Sequence, residues 1–90
     1  MLEESKYQLG KGTKVRKESF GLLFYSSDGP RLLFIGCKDL IPTEFFEGKQ
    51  FLRELLDSLE LDSYPKIRQE LLKTIKYLLE KGIIIRSESQ

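Results

Sequence analysis

Up to about residue 36 the hydrophobic positions come in short runs. Beyond residue 38 they recur at helical spacing, so the pattern divides the chain into a β meander over about 7–36 and a helical part over about 38–82. Tyr7, Leu9, Thr13 and Val15 alternate loosely among Gly10, Gly12 and basic residues, which predicts a strand over 14–17 preceded by a shorter extended piece. The run Phe20-Gly21-Leu22-Leu23-Phe24-Tyr25 is short and rich in aromatics, the strongest strand signal in the chain. Ser26-Ser27-Asp28-Gly29-Pro30 predicts a tight turn, because a glycine after aspartate takes up positive φ without steric cost. Arg31-Leu32-Leu33-Phe34-Ile35 is then the third strand. The polar link Lys17-Glu18-Ser19 and this turn are both too short for crossovers, so the three strands pair antiparallel in sequence order.

Three helices are expected after the meander. Pro42 suits the first turn of a short helix over 42–47, which Gly48 ends. Phe51, Leu52, Leu55, Leu56 and Leu59 mark an amphipathic helix over 49–59. Asp62 or Ser63 as cap and Pro65 in the first turn open the last helix. Ile67, Leu71, Leu72, Ile75, Leu78 and Leu79 form its apolar stripe, and Gly82 ends it. Ile83-Ile84-Ile85 is read as a short strand or a segment packed back on the core. The whole is one α+β domain over 1–90, with a three-stranded antiparallel sheet followed by three helices.

Both faces of the meander are apolar. Phe20, Leu22 and Phe24 share one face of the second strand and Leu23 and Tyr25 the other, and the third strand sets Leu32 and Phe34 against Leu33 and Ile35. A sheet covered by helices on one side is ordinarily polar on the other. The second face is therefore expected to lie under the N-terminal segment, the C-terminal isoleucines or a second copy of the chain. Phe20, Phe24 and Phe34 are expected in the core. Gly21 either allows a close backbone approach or a bulge, or fills a crowded sheet position.

Composition narrows the chemistry. The 90 residues carry 15 Lys+Arg against 14 Asp+Glu, a net charge of +1, so no overall field draws nucleic acid or an anionic membrane. There is no histidine and one cysteine, which removes the commonest general base, the commonest zinc ligand and any internal disulfide. Cys37 without a histidine partner is read as inert, and Glu44 and Glu47 as surface carboxylates. The chain is expected to be a non-enzyme with no cofactor or metal. With no long apolar run and an acidic, polar start, no membrane or secretory segment is expected, and a cytoplasmic location is expected by default. The last helix is the basic element: Lys66, Arg68, Lys73, Lys76 and Lys81 face Glu70 and Glu80, five cations against two carboxylates, or +3 over residues 64–81. Lys66, Lys73 and Lys76 fall in one arc of that helix. They would steer an acidic partner, or else they make up an ordinary solvated face.

The stretch Val15-Arg16-Lys17-Glu18-Ser19-Phe20-Gly21-Leu22-Leu23-Phe24-Tyr25 resembles the (V/L)-R-x-E-x-F-G-x-L-x-Y segment of the mycofactocin biosynthesis chaperone family. Residues 31–35 and Leu78-Leu79-Glu80-Lys81-Gly82-Ile83-Ile84 are also similar. That family belongs to the precursor-peptide recognition elements typified by protein D of pyrroloquinoline quinone biosynthesis. The resemblance implies a winged-helix-like domain that binds a ribosomally made precursor peptide by strand addition and presents it to a radical S-adenosylmethionine maturase. It places the receiving edge at Arg31, Leu32, Leu33, Phe34 and Ile35, and the groove wall at Ile67, Leu71, Ile75 and Leu78. The segment Glu47-Gly48 and the lysine-rich last helix depart from commoner members. Two readings compete with this one: a winged-helix nucleic-acid-binding regulator, weakened by the low net charge, and a homodimer using the doubly apolar sheet.

Overall fold

The computed structural model describes residues 2–26, 32–37 and 40–87. The expected meander is present as β2 (Thr13–Glu18), β3 (Gly21–Ser26) and β4 (Leu32–Ile35), antiparallel in the order β2-β3-β4. The turn expected at 26–30 lies largely outside the described residues. The remaining strands, β1 (Lys6–Leu9), β5 (Glu47–Phe51) and β6 (Ile84–Arg86), form a second antiparallel sheet in the order β5-β1-β6. The described chain thus has two three-stranded sheets where one was expected, and two α-helices, α1 (Leu52–Ser58) and α2 (Pro65–Glu80), where three were expected.

Each difference has a local cause. The short helix expected over 42–47 is a 3-10 turn, Thr43–Phe46, opened by the Phe45 N–H donating to the Pro42 carbonyl at 3.0 Å. Gly48, at φ +76°, lets the chain run on as β5. β5 is held extended by pairing with β1, Lys6 opposite Phe51 and Gln8 opposite Glu47, so the second helix starts three residues late. Phe51 ends that strand and caps α1, its N–H bonded to the Glu54 carboxylate at 2.8 Å, with the Lys6 ammonium 4.8 Å from its ring centre. At α2 the cap is Tyr64, with Pro65 at the first position; neither Asp62 nor Ser63 serves. The C-terminus behaves as the glycine predicts. Gly82 takes φ +73°, and the Gly82 and Ile83 N–H groups donate to the Leu79 and Leu78 carbonyls, a Schellman closure that turns the chain into β6.

The core joins both sheets. Tyr7 on β1, Leu22 and Phe24 on β3, Phe45 and Phe46 in the 3-10 turn, and Leu71, Ile75 and Leu78 on α2 are buried together with Ile84 on β6. Within the meander, Phe24 pairs with Leu33 and Leu22 with Ile35 on the inner face, while Leu23 pairs with Phe34 and Tyr25 with Leu32 on the outer face. No described segment covers that outer face. The N-terminal strand and the terminal isoleucines are engaged with each other instead, Gln8 opposite Ile85 and Leu9 opposite Ile84. Phe24 is core as expected; Phe20 and Phe34 are not, at 72% and 51% exposed. Phe20 sits in the β2–β3 turn, and Phe34 points outward by strand alternation.

Gly21 resolves to a close backbone approach. A Cβ there would clash with the Ile35 carbonyl oxygen, a main-chain atom fixed in β4. Gly21→Ala is expected to cost about 1–3 kcal/mol by forcing the strands apart, read as a lower denaturation midpoint and weakened amide protection in β4. Gly36→Ala, where the nearest atom is a Phe34 ring carbon at 3.6 Å, should stay within about 0.5 kcal/mol of the parent.

Tyr7 is buried, with its hydroxyl donating to the Leu2 carbonyl at 2.5 Å. Burial raises its pKa above the ordinary phenol value, opposed by smaller contributions from Ser5 and Arg86. A phenol whose folded value is raised stabilises fully below its unfolded value, roughly pH 10, and loses that contribution as pH climbs through the folded value. Alkaline unfolding should therefore steepen above the ordinary phenol range. Tyr7→Phe should lose about 1 kcal/mol at neutral pH and show a shallower alkaline limb in pH-dependent denaturation.

A candidate peptide-binding edge

Sheets end in edges, and an unguarded edge can pair with another chain. Among the described residues the two sheets have four. β6 is three residues long and ends in Arg86. β5 carries Glu47, Lys49 and the positive-φ Gly48. β2 carries Lys14, Arg16, Lys17 and Glu18, with Arg16 and Glu18 ion-paired at 2.5 Å. The fourth edge, β4, reads Leu-Leu-Phe-Ile, without charge, bulge or proline, and pairs only with β3. Three edges bear the features that discourage pairing; β4 bears none.

Two hollows lie between the meander side of the molecule and α2, one near each end of β4. The larger, about 780 Å³, lies between Gly36, Cys37 and Leu40 after β4 and Ile67, Leu71 and Thr74 on the first half of α2. The other, about 410 Å³, lies where Thr13 of β2, Phe24 and Tyr25 of β3 and Leu32 and Leu33 of β4 meet Tyr77 and Lys81 at the end of α2. The hollows sit at opposite ends of both elements, so β4 and α2 run antiparallel across the groove.

The residues expected in the site divide accordingly. Leu32 and Phe34 point to the outer face and Leu33 and Ile35 to the inner one. Arg31 lies outside the described residues. Ile67 and Leu71 line the larger hollow, Ile67 being 41% exposed. Ile75 and Leu78 do not form the wall; both are fully buried in the core. The reason is helical phase. The strongest apolar stripe is spent on the core, and the wall is its flank, about one residue step or 100° around the helix: Ile67, Glu70, Thr74, Tyr77 and Lys81. Ile67 and Tyr77, apolar residues on the border of the main stripe, were the available signal for this.

The lysines divide too. Lys66 borders the larger hollow, accompanied there by Glu70. Lys76 borders a separate depression with Leu2, Leu79 and Arg86 on the other side of α2, and Lys73 lines neither hollow. The cations at the far end of the groove are instead Lys11 and Lys81, the Lys81 ammonium lying 5.7 Å from the Tyr77 ring centre. Among the described residues no group of acidic side chains and cysteine is placed to hold a metal ion, and no helix is long and apolar enough to cross a membrane. The chemistry on offer is hydrogen bonding from a main-chain ladder, apolar contact and positive charge. The chain matches no protein-family model, no curated protein and no solved structure.

Proposed function

We propose that this chain is a non-catalytic peptide-recognition module that receives an extended segment of another chain along β4, in the groove toward α2. Within that class the reading is of a cytoplasmic chaperone for a ribosomally made precursor peptide, handed on to a radical S-adenosylmethionine maturase in a mycofactocin-type redox-cofactor pathway. The observation that carries the general reading is the uncharged β4 edge, with a mainly apolar hollow against α2 just beyond its C-terminal end, while the other three edges are guarded. The narrower reading rests on the resemblance of residues 15–25 to that chaperone family. In it, the meander and α2 stand as the wing and the last helix of a winged-helix-like domain.

The energetics suit a reversible presenter. In an antiparallel strand alternate residues turn both main-chain groups to the same side, so the four residues of β4 offer about four hydrogen bonds to a guest. Each nets about 0.5–1.5 kcal/mol. Apolar contacts in the groove add about 25 cal/mol per Å² removed from water. Ordering a flexible peptide costs about 2–5 kcal/mol, which offsets part of this and leaves affinity near the micromolar range.

The test is titration of the isotopically labelled protein with mycofactocin-type precursor peptides, which are acidic and end in Val-Tyr. Amide shifts should concentrate in residues 32–37, and alkylation of Cys37, half-buried in the groove, should slow on saturation. Ile67→Glu, a groove-lining and partly exposed position, should weaken binding by about tenfold or more without changing the circular dichroism spectrum. Shifts confined to other elements, or an affinity indifferent to Ile67→Glu, would remove the reading.

A further inference from the structure

We propose, resting on the strand-addition reading, that the guest segment is apolar on both of its faces where it lies along β4, and carries acidic residues at the end that lies beside Leu32. A strand added to β4 continues the alternation of the sheet. Every second guest side chain joins the inner row of Leu33 and Ile35, against the Ile67–Tyr77 flank of α2; the others join the outer row of Leu32 and Phe34. The inner row needs apolar partners because its neighbours along the ladder are Leu33 and Ile35 and it points toward Ile67 and Leu71 at the Gly36 end.

The outer row needs them as well. Leu32 is 70% exposed and Phe34 more than half. Polarity on this outer face falls steadily toward the open edge: Lys14, Arg16 and Glu18 on β2, then half-buried Leu23 and Tyr25 on β3, then exposed Leu32 and Phe34 on β4. Phe20 extends the patch at the Gly36 end, where its carbonyl oxygen and the Phe34 ring both approach Gly36. The exposed apolar surface is thus centred where the side chains of a fourth strand would lie. A partner docking flat on the sheet would have its contact centred on β3. Three exposed side chains amount to a few hundred Å², short of the roughly 800 Å² per partner that a stable protein interface buries. A single strand fits that area; a second copy docked on the face does not.

Charge sets the orientation of the guest. At the Leu32 end the described lining residues include Lys11 and Lys81 and no carboxylate, whereas at the Gly36 end Lys66 is matched by Glu70. Every strand pairing among the described residues is antiparallel, and an antiparallel guest has its C-terminal end beside Leu32. The recognised segment is therefore a run of apolar residues followed, toward its C-terminus, by aspartate or glutamate.

The experiment pans a displayed library of random peptides, long enough to span β4 with flanks, against the purified full chain. Enriched peptides are synthesised, mapped by amide shifts and measured against the parent and the Leu32→Ser/Phe34→Ser double variant. Continuous apolar runs followed by acidic residues are expected. Replacing either alternate set of guest residues by serine should weaken binding about tenfold. The double variant should remove the effect of the outward set only. A spin label on the peptide N-terminus should broaden Cys37 more than Leu32, and a label on the C-terminus the reverse. Peptides that shift residues 32–37 but alternate apolar with polar residues, ignore the double variant or lie in the opposite direction would leave strand addition standing and overturn this inference. Peptides that bind without shifting 32–37, or no enrichment at all, would overturn both.

Discussion

The two sheets share no ladder, so what joins them is side-chain packing, and its centre is a file of four aromatic rings. Tyr7 on β1 lies 6.0 Å from Phe45, Phe45 lies 5.3 Å from Phe46 at a near-perpendicular angle, and Phe46 lies 5.4 Å from Phe24 on β3, also edge to face. Edge-to-face pairs add about 0.5–1.5 kcal/mol each beyond burial. Emptying one such position costs about 3–5 kcal/mol, a large share of the 5–15 kcal/mol that holds a small domain together. The 3-10 turn Thr43–Phe46 makes the file possible. Its tight winding turns two consecutive phenylalanines toward different sheets, which an α-helix continuing through Gly48 would not do.

That joint frees the meander from needing cover at β4. Strands β1, β5 and β6 satisfy one another, and α2 spends its main stripe on Leu71, Ile75 and Leu78, anchoring it to the shared core. The helix therefore stands beside β4 as a fixed wall. Arg68 of α2 is further tied to Glu3 at the N-terminal turn by an ion pair at 2.5 Å, with both side chains largely sheltered from solvent. The sheet edge and the core-anchored helix are both fixed by the fold, so under the proposed strand addition a guest would meet hydrogen-bonding groups already oriented.

What the sequence discloses depends on how local the deciding contact is. The meander and the glycine end of α2 follow from neighbouring residues and are read within a residue or two; Ile83-Ile84-Ile85 is read as a strand or core segment, but its partner is not. The second sheet is carried by pairings between distant parts of the chain, Lys6 with Phe51 and Leu9 with Ile84. Nothing in Glu47-Gly48-Lys49-Gln50-Phe51 signals a strand strongly enough to outweigh the leucine spacing that follows it. Phe20 and Phe34 defeat the burial tendency of phenylalanine because the surface that would bury them is not part of this chain's described structure. The groove wall is obscured for a related reason: a hydrophobic stripe announces where a helix is buried most deeply, and the wall residues are the stripe's partly exposed border.

An uncharged, apolar edge is also an invitation to self-association, and the wall of the groove argues against that outcome. Two copies joined antiparallel through β4 would share one continuous sheet related by a two-fold axis perpendicular to it. Both α2 helices would then lie on the same face, side by side and antiparallel. Lys66 of each would approach Lys81 of the other, with a net +3 on each helix segment after Glu70 and Glu80 are counted. The paired sheet would also have to seat a strand already backed by its own helix in a space bounded by another. A single acidic peptide brings neither obstacle: it carries no second helix, and its charge is opposite to that of the wall. The features on which the proposed strand addition rests therefore also disfavour the pairing of β4 with itself.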